Sequence, residues 1–360
     1  MSSFLSGAPA VSAPAPGRPP RVSVVIPTYN RADLVGEAMQ SVLCQTFSDL
    51  ELVVVDDGST DDTPGVLARI ADPRIRVISQ ANQGISGALN AGMRAARGEY
   101  VIMLGSDDRF LPQCLARLTA AAARQPNAVV VYGRARGIDL AGGPLTLVTG
   151  APLPYPDRPL LSALYGDFVA TIAALIRRDT LDRVGYCDPN LKGNEDWDLW
   201  IRLARVGKFV FVPEVLAEFR IHPGRFTAAQ HDKLAALLAG RLAILDKAFA
   251  APDLPSDVVA ARPAIYRNAY IDIGLRWLNV GEYGDAGAAF RQALRYGRPL
   301  PTAGRIVSLA VFYRFARRYG WANRLSDSAA RWKRARRASH AREGMEARLF
   351  ASASSGARED

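Results

Sequence analysis

The sequence predicts an α/β fold, a mostly parallel sheet flanked by helices, followed by an all-helical C-terminal region. Three observations carry this prediction. From residue 22 to about 132, short β-branched runs alternate with segments of helical periodicity, and such alternation places parallel strands under helices on both faces. Two of the runs end in paired aspartates, at Asp56 and Asp57 and at Asp107 and Asp108. From about residue 230 onward the pattern is helical throughout.

The elements follow in order. Residues 1–21 are rich in Ala, Pro, Ser and Gly without apolar periodicity, and disorder is expected. Residues 22–26 read as the first strand. Leu34, Ala38 and Val42, with Val35, Met39 and Leu43, recur at helical spacing and predict a helix over 31–45. Residues 50–55 are the second strand. A second helix starts at 61–64, with Asp61 or Asp62 as its cap and Pro64 in its first turn. A strand at 75–78, a helix at 84–97, a strand at 100–104, a helix at 112–124 and a strand at 129–132 complete the alternation.

After Gly137 the rhythm breaks. Ala141, Gly142, Gly143 and Pro144 read as a turn between two strands, and the four prolines of residues 150–159 as an irregular loop. A strand is expected at 171–176, a helix at 195–206, and short strands at 209–212 and 218–221. In the helical region, Trp277, Leu278, Gly281, Tyr283, Ala286, Phe290, Ala293, Leu294 and Pro299 follow the spacing of one tetratricopeptide repeat. One copy cannot build a solenoid, so a helical hairpin is expected.

At 360 residues, 49% of them hydrophobic, the chain suggests two domains with a substantial core. Cys44, Cys114 and Cys187 are far apart and form no CxxC pair. They read as reduced core thiols of a cytosolic protein, not as a disulfide or zinc framework. No apolar stretch approaches the ~20 residues of a membrane-spanning helix, and no secretory signal is visible. Charge is uneven. Residues 305–348 hold twelve Lys or Arg against Asp327, Glu343 and Glu346, so nearly the whole surplus of +10 lies there.

The acidic strand ends point to chemistry. Two like charges at the mouth of a buried strand are unfavourable unless something positive binds there. A divalent cation carrying a diphosphate suits Asp107 and Asp108, since hard cations take carboxylate oxygens and share their shell with phosphate. The same pair also reads as a plain helix cap. In open parallel sheets, ligands sit beyond the carboxyl ends of the strands, so the Asp56–Asp57 tip faces the same crevice. Tyr29, after the first strand, stands at that edge. Its ring either lies on a nucleobase or packs on a neighbour.

Four motifs then carry a resemblance: Val24 to Arg31, Val54 to Asp61, Gly98 through Asp108, and the acidic segment Asn194, Glu195, Asp196, Trp197, Asp198. In this order and spacing the chain resembles glycosyltransferase family 2 over roughly residues 22–225. The resemblance implies the GT-A fold and inverting transfer from a nucleotide-diphosphate sugar, with a uridine nucleotide favoured. It implies that Asp108 binds Mn2+ or Mg2+, that Asp107 contacts the ribose, that Asp57 accepts the imide hydrogen of the base, and that Tyr29, Pro27 and Thr28 form the wall beside it. Many members have Asp-x-Asp-Asp where this chain begins with Gly105, so one carboxylate is missing. Asp56 is expected to hold the Gly58–Ser59 turn, and Asn82, Gln83 and Gly84 to lie where the loop passes the nucleotide.

Transfer requires a base for the acceptor hydroxyl, and one carboxylate suffices. Asp196 is the expected base, supported by Glu195, with Asp198 facing away. Enrichment of a helix N-terminus in acids explains the same residues without catalysis. Trp197 and Trp200 are either a sugar platform or core. His222 and Arg225 are expected to touch the diphosphate or the acceptor.

The expected organisation is a disordered 1–21, a GT-A domain over 22–228, a helical region over 229–345, and a disordered 346–360. The acceptor is expected to be a glycan or lipid-linked hydroxyl, in polysaccharide biosynthesis of the cell envelope. The basic tail, with Arg314, Arg317, Arg318, Arg331, Arg334 and Arg337 at helical spacing, reads either as an amphipathic segment on anionic lipid or as a solvated face. A cytoplasmic protein, peripheral at the inner membrane face, is the corresponding expectation. A non-catalytic sugar-nucleotide or polysaccharide-binding protein is the competing reading. A dehydrogenase is disfavoured because no G-x-G-x-x-G follows the first strand. Specific nucleic-acid binding is disfavoured because no zinc, helix-turn-helix or RNP signature accompanies the basic tail.

Overall fold

The computed structural model describes residues 18–191, 193–222 and 231–297. In chain order the elements are β1 (Val22–Thr28), α1 (Val35–Leu43), β2 (Leu50–Asp56), α2 (Thr63–Arg69), β3 (Ile75–Ser79), α3 (Gly84–Ala95), β4 (Tyr100–Met103), β5 (Arg109–Phe110) and α4 (Cys114–Arg124). There follow β6 (Ala128–Ile138), β7 (Pro144–Thr149), α5 (Pro159–Tyr165), β8 (Ala174–Arg177), α6 (Arg178–Val184), α7 (Glu195–Ala204) and β9 (Lys208–Arg220). Three helices close the described chain: α8 (His231–Phe249), α9 (Ser256–Val280) and α10 (Tyr283–Arg295).

The strands form one sheet in the order β3-β2-β1-β4-β8-β6-β9-β5, with β7 also paired to β6. β3, β2, β1 and β4 are mutually parallel. β8 then enters antiparallel to both β4 and β6. Every residue of β1 and β2 is buried, as expected for β-branched runs covered on both faces. α1 turns Val35, Ala38, Met39, Val42 and Leu43 inward, the one-sided stripe of an amphipathic helix. Val24, Ile26, Leu52, Val54 and Ile102 meet it, and Leu115 and Leu118 of α4 join the same core.

The chain divides into two compact units, one up to Ala269 and one from Tyr270. The first contains α8 and the start of α9 as well as the sheet. In the second, Tyr270 stacks on Tyr296 at 5.8 Å between ring centroids, and Ala286, Phe290 and Ala293 of α10 are buried. α9 and α10 follow one another across the short connection at Gly281 and Glu282, and Gly274 of α9 lies against the Phe290 ring of α10. Pro299, Arg225, the basic segment and the two terminal tails, apart from residues 18–21, lie outside the described residues.

Several expectations need correction. The first helix begins at Val35, not residue 31, because Arg31 and Asn30 are drawn into the loop lattice at the strand ends. The short strands expected at 209–212 and 218–221 are one long strand, β9 (Lys208–Arg220), running through Pro213, because β6 supplies a partner along nearly its whole length. The proline-rich loop leads into the helix α5, which starts at Pro159. Cys44 is exposed, whereas Cys114 and Cys187 are buried. Asp62 occupies the cap position of α2 but makes no cap bond. Asp61 accepts the Thr63 amide instead, at 2.9 Å.

Candidate active site

Because β1, β2 and β4 run parallel, the segments that follow them emerge at one edge of the sheet. They are laced together there. The Asp57 amide donates to the Thr28 carbonyl at 2.9 Å, the Asn30 amide to Ser59 Oγ at 2.9 Å, and the Thr60 amide to Asn30 Oδ1 at 2.8 Å. Asp56 accepts the Ser59 amide at 3.0 Å and so holds the turn. Gly58 at φ 79° suits that turn, and a Cβ there would stand 3.1 Å from the Asn82 nitrogen, so the β2 tip and the 80–84 loop touch. Asp57 fixes that loop. Its Oδ1 accepts from Gln80 Nε2 at 2.7 Å and from the Gln83 amide at 2.9 Å.

Of the three residues expected to form the wall, only Tyr29 presents its side chain, which is 45% exposed. Pro27 and Thr28 are buried in β1, so any wall they offer is backbone. The Thr28 hydroxyl is buried without a partner among the described residues, an unmet polar group of the kind that marks a functional site.

The tip of β4 places Asp107 and Asp108 over Gly105. A Cβ on Gly105 would lie 2.6 Å from Asp108 Oδ2 and 2.9 Å from Asp107 Oδ1. The two carboxylates therefore converge on one small space that only glycine leaves open. Oxygen donors of this kind fit a hard divalent cation, with phosphate completing the shell. Among the described residues no group of three or more His, Cys, Asp or Glu is arranged to hold a metal by itself. His222 Nε2 lies 3.0 Å from Asp107 Oδ2, so the tip carries an imidazole as well.

The acidic segment reaches the same edge through β8. Ile102 pairs with Leu175 antiparallel, and the 3-10 turn Thr171–Ala173 that precedes β8, where a strand was expected from residue 171, packs against β4. Thr171 Oγ1 donates to Asp196 Oδ2 at 2.7 Å, and the Trp197 amide donates to Asp196 Oδ1 at 2.8 Å. Glu195 sits beside it in the first turn of α7. Burial, reinforced by the Asp196 charge, pushes the Glu195 carboxyl up to about 7. Its Oε2 is buried without a partner among the described residues.

Asp198 is turned away, bonded to Arg202 Nε at 2.8 Å and to Lys247 Nζ at 3.0 Å. Trp197 and Trp200 are 2% and 1% exposed. Of the two readings of Trp197, the burial agrees with core: its indole N–H donates to the Ala163 carbonyl at 2.8 Å and its ring lies under Arg241.

Motif reading left Arg220 and Thr171 without a role. Arg220 ends β9 and grips the β4 tip. No local signal marks Thr171, whose partner is 25 residues away.

A sheet whose parallel half opens onto paired carboxylates, joined through the antiparallel strand β8 to a mixed half, is the architecture of GT-A-like transferases. A solved mannosyltransferase of Pyrobaculum calidifontis, in complex with GDP-Man and Mn2+, superposes with a TM-score of 0.54 at 22% identity, covering 86% of this chain and 85% of that one. S. aureus TarS 1-349, in complex with UDP-GlcNAc, gives 0.52 at 17% identity over 75% of this chain and 90% of that one. Both likenesses concern the fold. In sequence, Glycosyl transferase family 2 matches residues 23–185. An uncharacterized glycosyltransferase of Rickettsia typhi is 32% identical over 244 residues, 63% of this chain and 73% of that protein. The chain belongs to glycosyltransferase family 2. It spans about two thirds of the length of the first curated relatives it matches.

Proposed function

We propose that the protein is an inverting, metal-dependent glycosyltransferase that moves a sugar from a nucleotide-diphosphate sugar to a hydroxyl of a glycan or lipid-linked acceptor. What supports this reading is that the parallel strands β1, β2 and β4 open at one sheet edge with the Asp57 loop and the converging Asp107 and Asp108 carboxylates at their ends, while Asp196 is bonded to Thr171 just ahead of β8, the antiparallel neighbour of β4. A uridine nucleotide suits Asp57, which accepts the imide hydrogen while Tyr29 lies on the base. A carboxylate only accepts hydrogen bonds and so matches that edge. Solved relatives of this fold carry UDP-GlcNAc in one case and GDP-Man with Mn2+ in another, which supports a nucleotide-sugar donor.

Asp108, with Asp107 beside it, would hold Mn2+ or Mg2+. When bound, the cation supplies positive charge against the departing diphosphate. Asp107 orients the ribose, and His222 steadies Asp107. The acceptor oxygen forms its bond to the anomeric carbon as the bond from that carbon to the diphosphate oxygen breaks. The electron pair leaves with the nucleoside diphosphate, and the hydroxyl proton passes to Asp196. Displacement from the opposite face inverts the centre. Glu195, held beside Asp196 in a protein-lined environment, supports the base. The role of Arg225 at the diphosphate stays within this proposal. So does a cytoplasmic, membrane-peripheral location in envelope polysaccharide synthesis. Among the described residues no helix is long and apolar enough to cross a membrane.

Gly105 favours one competing reading, a binding protein that kept the fold. The test is release of nucleoside diphosphate from a panel of UDP- and GDP-sugars with Mn2+, for the wild type and Asp196→Asn. Turnover that the substitution abolishes supports the enzyme. Binding without turnover by the wild type supports the alternative.

A further inference from the structure

We propose that helix α8 is a splint for the catalytic turn, with Asn194 and Lys247 as positioning residues for Asp196. The proposal rests on the reading of Asp196 as the base. α8 lies beyond the residues matched by the family, yet it touches the acidic segment repeatedly.

Asn194 precedes α7 in a left-handed conformation, φ 67°, which Asn and Gly tolerate best. An asparagine before a helix ordinarily accepts from an amide of the first turn. This one makes no cap bond. Its Nδ2 donates instead to the Leu237 carbonyl of α8 at 3.0 Å. Gly240 of α8 lies against the same amide, where a Cβ would stand at ordinary contact distance, 3.6 Å from Asn194 Nδ2.

Further along α8, Arg241 lies over the Trp197 ring at 4.4 Å from its centroid. Lys247 Nζ then bridges Asp188 Oδ2 at 2.9 Å and Asp198 Oδ1 at 3.0 Å. It thus ties the first turn of α7, which carries Glu195 and Asp196, to the loop that precedes it. Arg202 pins the opposite flank, donating to Asp198 and to the carbonyls of Val184, Gly185 and Tyr186. Asp196 itself is held by Thr171 and by the Trp197 amide. The height and direction of the turn are therefore set by α8, 40 to 50 residues later in the chain. Reacting atoms must sit within about 3.5 Å, and a displacement near 1 Å lowers rate by about a hundredfold. A splint is the means of holding that position at a helix start.

The test uses the full chain. Asn194→Gly keeps the left-handed backbone and removes the amide. Asn194→Asp keeps the size but cannot donate to Leu237. Lys247→Met removes both ion pairs, and Lys247→Arg retains a cation. Each is assayed with Mn2+ and whichever of UDP-glucose, UDP-N-acetylglucosamine and GDP-mannose the wild type turns over fastest, alongside Asp196→Asn. The first three variants should lose about tenfold or more in kcat with donor KM within about twofold, and Lys247→Arg should recover most of it. Amide exchange at residues 195–198 should quicken in Asn194→Gly, a readout independent of turnover. Wild-type kcat in the Asn194 variants and Lys247→Met, with Asp196→Asn inactive, overturns the splint and leaves the base in place. Unchanged amide exchange also overturns it. Full activity of Asp196→Asn overturns the underlying reading instead.

Discussion

The backbone amide of Arg220 donates to Asp108 Oδ1 at 2.9 Å. The same residue's guanidinium, 2% exposed, donates to the carbonyls of Asp107 (3.1 Å), Asp139 (3.2 Å) and Leu140 (2.8 Å), and to Glu37 Oε2 (2.6 Å). The last residue of β9 thereby fixes the β4 tip against the β6–β7 hairpin and α1. Glu37 also takes Arg109, and Arg109 and Arg136 share Glu218. A chain of alternating charges thus runs along the rim.

Removing that guanidinium takes the donor from three part-buried carbonyl bonds and from the Glu37 carboxylate, each contributing about 0.5–3 kcal/mol. Arg220→Met is expected to destabilise the protein by about 3 kcal/mol in urea titration. It should also weaken Mn2+-dependent nucleotide binding, because the Asp107–Asp108 turn loses its anchor. Arg220→Lys, which reaches fewer acceptors, should recover only part of either effect.

Thr171→Val keeps the shape at Asp196 and deletes one hydrogen bond to a carboxylate, worth about 1.5–3 kcal/mol. The expected outcome is a fall of about tenfold or more in kcat with donor KM unchanged. Steady-state kinetics over a donor concentration series checks the split.

Glu195 makes stability depend on pH. Burial and the neighbouring Asp196 raise its carboxyl from 4.5 to about 7, so the folded chain keeps a proton that the unfolded chain releases. The native state binds more protons between those values, and stability falls as pH rises from about 4.5 through 7. The loss levels off above the folded value at about 3 kcal/mol. Glu195→Gln should abolish this component and melt higher than wild type at pH 8, with the difference shrinking toward pH 4.5. A melting-temperature series over that range measures it.

Asp57→Ala removes the acceptor for Gln80 and Gln83 along with the proposed contact to the base. UDP affinity measured by calorimetry should drop about tenfold or more. Preference of the wild type for GDP over UDP would contradict the assignment of the base contact.

Much of the parallel half was legible. The runs at 22–26, 50–55 and 100–104 are apolar enough to demand burial on both faces, and the acids that end them mark the edge where ligands bind. The helix at Glu195 announced itself by periodicity and acidic first turn. Long-range partnerships were not legible. Residues 209–212 and 218–221 read as separate strands because the sequence does not show that β6 pairs along the whole of β9. Trp197 stayed open between core and sugar platform because Arg241 and Ala163 arrive from elements 44 and 34 residues away. The same distance hid Asn194's tie to α8, and Arg220's reach to Glu37, 183 residues back.

The central claim is that Asp57, Asp108 and Asp196 serve one cleft. A crystal structure of the wild-type chain with UDP and Mn2+ tests it most directly. The expected map shows an anomalous manganese peak between Asp108 and the diphosphate, uracil against Tyr29 and Asp57, and Asp196 facing the diphosphate across the cleft. Nucleotide density away from these three carboxylates, or manganese bound without Asp108, would contradict the account.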